Sequence, residues 1–78
     1  MLVKIRKSEV DAMQYAATLV ELRVRFYTVE SPVTEKPETM CVEVTNAEGE
    51  DPSPLMAWYL ARHFDIKLEV DQFVNRNP

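Results

Sequence analysis

A four-stranded antiparallel sheet covered on one face by two helices, the ferredoxin-like βαββαβ sandwich of the α+β class, is the fold this 78-residue sequence predicts. Three observations lead there. Apolar and polar residues alternate with the two-residue period of a half-buried strand in four separate runs, and two other runs repeat at helical spacing. The runs follow one another as strand, helix, strand, strand, helix, strand. With right-handed crossovers, a layer of two helices over one sheet buries every apolar face.

The elements follow in order. Val3 and Ile5 alternate with Lys4 and Arg6 and give a short first strand. Ser8 ahead of Glu9, Val10 and Asp11 reads as a helix N-cap with acids in the first turn, and Val10, Met13, Ala17 and Val20 carry the helical spacing to about Thr18. Val20, Leu22, Val24 and Phe26 then alternate with Glu21, Arg23, Arg25 and Tyr27, a second strand rich in β-formers. Leu19, Leu22, Phe26 and Val29 also satisfy a helical spacing, so the stretch is compatible with both periods and the strand is the preferred reading.

Glu30 to Glu38 sets two prolines among acids and reads as a connecting loop. Met40, Val42 and Val44 alternate with Cys41, Glu43 and Thr45 as a third strand, antiparallel to the second, with Glu43 near Arg23 or Arg25. Asn46 to Pro54 holds the only glycine and two prolines and should turn the chain. Ser53 and Pro54 suit the cap and first position of a second helix, which runs to about Phe64. Ile66, Leu68 and Val70, alternating with Lys67, Glu69 and Asp71, predict the fourth strand, and the tail frays after Val74.

At 46% hydrophobic and 28% charged residues the composition is that of one small globular domain. No apolar run approaches the roughly 18 residues of a membrane span, and the first residues lack the apolar core of a signal peptide, so a cytoplasmic location is expected. Cys41 is the only cysteine, which precludes an intrachain disulfide and reads as a packed thiol between Met40 and Val42. The net charge of −4 is unevenly spread. Met1 to Phe26 carries five cations against three acids, whereas Tyr27 to Met56 carries Lys36 against seven acids. Such an acidic centre repels free nucleic acid and attracts a basic partner.

The second helix carries the main functional signal. At about 100° per residue Met56, Ala57, Leu60, Ala61 and Phe64 share one side, and Leu55, Trp58, Tyr59, Arg62 and His63 share the other. The first side reads as core. The second gathers Trp, Tyr and Arg, the residues that dominate binding energy at interfaces. With Glu43, Glu48, Glu50 and Asp51 to steer a basic partner, these residues predict a non-catalytic binding protein, an adaptor or inhibitor whose partner is another protein with a basic surface. Size and charge suit, by analogy alone, a phage-type inhibitor that covers the basic surface of nucleic-acid-handling machinery. A homodimer through the Trp58 face is equally compatible.

Equipment for catalysis is sparse. One His and one Cys provide no clustered zinc site, and a sheet between Cys41 and His63 would separate them as a nucleophile pair; one Gly provides no phosphate cradle, and Glu48, Glu50 and Asp51 lack calcium-loop spacing. No cofactor or metal is expected. The alternative function is a nucleic-acid-binding module that uses Arg6, Arg23, Arg25 and Lys67 on the open sheet face. That face offers Lys4, Arg6, Cys41, Glu43 and Thr45 on its central strands and Tyr27 on an edge, with Glu21, Glu69 and Asp71 offsetting the cations.

Overall fold

The first three alternating runs form the strands β1 (Leu2–Arg6), β2 (Arg23–Tyr27) and β3 (Thr39–Thr45), joined in one antiparallel sheet of order β1-β3-β2. The computed structural model describes residues 1–27 and 39–76; the expected loop from Glu30 to Glu38 lies outside them. β3 sits in the middle, where its seven residues serve both neighbours: Val42 opposes Val3 of β1 and Phe26 of β2. Because side chains alternate across a strand, Val3, Ile5, Val24, Phe26, Met40, Val42 and Val44 point to the core side, with Val42 and Val44 fully buried. Lys4, Arg6, Arg23, Arg25 and Tyr27 occupy the opposite, exposed face.

Ser8 does not cap the first helix. Lys7–Glu9 forms a 3-10 turn, and α1 begins at Val10 and runs to Leu19. The Glu9 carboxylate accepts the Arg6 backbone N–H at 2.8 Å, so the acid that the sequence assigns to the dipole instead folds back to fix the strand exit. At the other end Leu22 N–H reaches Ala17 C=O at 3.0 Å and Glu21 N–H reaches Thr18 C=O at 3.3 Å, the paired bonds of a Schellman stop, with Glu21 in the left-handed conformation at φ 59°. This stop explains why β2 starts at Arg23 and not at Val20. Val20 and Leu22 are buried as the alternation requires, but in the turn that closes α1.

The largest departure from expectation is the fourth strand. Residues 66–71 are helical, part of a continuous α2 from Pro54 to Arg76, so the sheet has three strands among the described residues and β1 is an edge. The physical reason is the absence of any stop: no Gly or Pro lies between Leu55 and Asn77, and no turn chemistry separates Phe64 from Ile66. Leu60, Phe64 and Leu68 continue the four-residue step of the core side, and Lys67 pairs with Asp71 one turn on at 2.9 Å. That hydrogen bond, with the charge of Asp71, holds the Lys67 ammonium above the ordinary lysine range, and the ammonium also lies 5.2 Å from the centre of the Tyr15 ring on α1. The start of α2 is as the sequence predicts. Met56 N–H donates to the Ser53 hydroxyl at 3.3 Å, with Pro54 at the first helical position.

The core lies between the inward sheet face and the two helices. Ala12, Met13, Ala16 and Ala17 of α1 are buried, and the small side chains let α2 approach closely enough for Leu60 to be 2% exposed. An apolar cleft of about 230 Å³ remains beside β1, lined by Met1, Val3, Met13, Leu60 and Phe64 among others. No helix among the described residues is long and apolar enough to cross a membrane.

Candidate binding surface on the second helix

Leu60 fixes the rotation of α2: with that residue in the core and Met56 and Phe64 half-buried beside it, the residues half a turn away must face outward. Leu55, Trp58, Tyr59 and Arg62 do so. Leu55 is 61% and Trp58 58% exposed, and the Tyr59 ring stands edge-on to the Trp58 ring with centroids 5.1 Å apart. His63 departs from this set. It lies at the margin of the core side and is half-buried.

Continuation of the helix past Phe64 adds residues that sequence reasoning assigned elsewhere. Ile66, Val70 and Phe73, read as strand and tail, extend the outward face, with Phe73 67% exposed; Val74, fourteen residues after Leu60, is exposed on the other side of the helix. The spacing already held the signal, since Ile66 lies seven and Phe73 fourteen residues beyond Tyr59. The 23 residues of α2 span about 35 Å, close to the 38 Å long dimension of the molecule. The outward stripe from Leu55 to Phe73 runs about 27 Å along the helix.

The acidic residues divide into separate places. Asn46 Oδ1 accepts N–H bonds from Glu48 at 3.0 Å and Glu50 at 2.9 Å, and Gly49 takes φ 82°, so a tight turn presents Glu48 and Glu50 to solvent just before α2. Asp51 pairs with the amino group of Met1. Glu43 is not part of this group: it lies on the outer sheet face, away from the helices, and accepts the Tyr27 hydroxyl at 3.2 Å. Arg25 is its cross-strand neighbour, as expected, and donates to Tyr27 Oη at the long limit of 3.5 Å. Tyr27, and after it Glu43, raises the pKa of the Arg25 guanidinium.

The remaining candidates are dispersed. Cys41 faces outward on β3 between Lys4 and Tyr27, while His63 is on the helical layer, so the sheet stands between them. Among the described residues no group of three His, Cys, Asp or Glu side chains is placed to hold a metal ion. Lys67, Glu69 and Asp71, expected on the open sheet face, are on α2 instead. The chain matches no family model, no curated protein and no solved structure in comparison.

Proposed function

We propose that this chain is a non-catalytic protein-binding domain whose affinity resides in the outward face of α2. The observation that carries the reading is the exposure of Leu55, Trp58, Tyr59, Ile66, Val70 and Phe73, with Arg62 and Glu69 among them, along one helix whose opposite side is already satisfied by the core. Scattered apolar residues on a surface need no explanation, whereas apolar residues that recur at heptad-like spacing along one helix face are the form in which one helix is recognised by another or by a groove. Glu48 and Glu50 at one end of the stripe favour basic groups at the rim of the partner's site.

Replacement of Ile66 by Asp tests this. Because the side chain is on the outward face, the monomer should keep its stability within about 0.5 kcal/mol, while polypeptides retained by the immobilised intact domain are lost. Retention of the same set by both forms, or unfolding of the variant, contradicts the reading.

One observation favours a second reading. With Glu69 and Asp71 removed to α2, the outer sheet face holds Lys4, Arg6, Arg23 and Arg25 against Glu43, around Tyr27, with a cleft of about 320 Å³ lined by Arg23, Arg25, Glu43, Thr45 and Gly49. A face of that charge suits a phosphate backbone. If it binds single-stranded nucleic acid, titration with an oligonucleotide at low salt gives binding that falls steeply as salt is added, and no binding at low salt removes the idea.

A further inference from the structure

We propose that the occupant of the α2 outward face is a second copy of this chain, docked antiparallel along the helix; this names the partner of the surface read above and rests on that reading. The seam Leu55, Tyr59, Arg62, Ile66, Glu69, Phe73 advances in steps of four, three, four, three and four residues. Alternating steps of three and four are the spacing at which two helices interlock side chain by side chain. This particular run also reads the same in both directions. A two-fold axis level with Phe64 therefore sets Leu55 opposite Phe73 of the second copy, Tyr59 opposite Glu69, and Arg62 opposite Ile66. Trp58 then covers the end layer beside Phe73, and Val70 of the second copy packs beside Tyr59.

Area and charge both agree with that occupant. The six exposed apolar side chains of that face, from Leu55 to Phe73, present on the order of 600 Å², at the upper end of the roughly 300–600 Å² of the largest apolar patch on a typical monomer and most of the ~800 Å² each partner contributes to a standard interface. In the antiparallel register Arg62 lies less than one helical turn, about 4.5 Å along the axis, from Glu69 of the second copy, with Asp65 of that copy next to it. All three side chains are exposed in the single chain. A parallel pairing would instead set Arg62 against Arg62 and Glu69 against Glu69, which like-charge repulsion disfavours. Charge thus selects the antiparallel direction that the palindromic spacing permits.

The test uses the full chain with Cys41→Ser, so that introduced thiols are the only ones. Leu55→Cys and Phe73→Cys chains are prepared separately and treated with a short bismaleimide, alone and mixed, and the intact chain is weighed by sedimentation equilibrium. The expected results are twice the 9.0 kDa chain mass for the intact protein and cross-linked product several-fold more abundant in the mixture than in either chain alone. Cross-linking of each chain with itself in preference to the mixture overturns the antiparallel arrangement. A single-chain mass at every concentration overturns the second copy as occupant. In that case a folded Ile66→Asp chain that loses another polypeptide keeps the face as a binding surface, whereas an unfolded one removes both.

Discussion

Truncation of Leu60 to alanine is expected to cost about 2–5 kcal/mol, while the same truncation at Leu55, five residues earlier on the same helix, changes the stability of the monomer by less than about 0.5 kcal/mol. A domain of this length has about 4–12 kcal/mol in total at ordinary stability per residue. The Leu60→Ala chain should therefore lose a large fraction of its stability and unfold at a markedly lower urea concentration than the intact chain. The contrast follows from the two faces of α2: Leu60 is 2% exposed among Met13, Ala16 and Val42 of the core cluster, and Leu55 is 61% exposed. Urea titration at a concentration where only single chains are present measures both. Equal losses at the two positions would mean that both faces are packed inside one chain, and the outward face would cease to be a binding surface.

Ile66→Pro is the second substitution with a large expected effect, about 3 kcal/mol or more, together with loss of the far-ultraviolet helical signal contributed by residues beyond 66. At this position proline removes a hydrogen bond in the middle of α2 and its ring collides with the carbonyl of Arg62, one turn back. Were residues 66–71 an edge strand, proline at the strand's first residue would be tolerated with little change. Ile66→Asp is the matched control, because it alters the same outward position and leaves the backbone bond in place. Circular dichroism should show the helical signal reduced by proline and retained by aspartate; an unchanged signal in the proline chain would contradict the continuous helix.

That helix is also where sequence reasoning failed, and the failure is physical. Ile66, Leu68 and Val70 alternate as a strand does, yet Ile66 and Val70 also stand four apart on the outward face, as Leu60, Phe64 and Leu68 do on the core side. Five residues cannot separate the two periods. What separates them is continuity: the helix begins at a sound cap, Ser53 with Pro54, and meets no stop for the next 22 residues. The three real strands were legible because each alternation is bounded by a turn, although the start of β2 was not, since a Glu occupies the left-handed residue that ends α1 where glycine is usual. At the candidate site, Leu55, Trp58, Tyr59 and Arg62 were legible from the 100° projection alone. His63 was not, because it lies at the margin between faces; Glu43 was legible as an outward residue of the third strand, but not its separation from Glu48, Glu50 and Asp51, with which it was grouped.

Loss of the fourth strand and extension of the exposed helix face are one event. The residues that would have completed the sheet beside β1 instead lengthen α2 and add Ile66, Val70 and Phe73 to its exposed side. In this reading the fold uses a short α1 and a small sheet to hold one long helix by half its circumference and to present the other half.

The most direct check is thermal melting of the intact chain and of Ile66→Asp across about a hundredfold range of concentration, because a species that binds its own folded copy gains stability by mass action. The intact chain should melt at a temperature that rises with concentration, and Ile66→Asp should stay folded with a melting temperature that does not move. A concentration-independent transition for the intact chain would contradict the second copy as the occupant of α2.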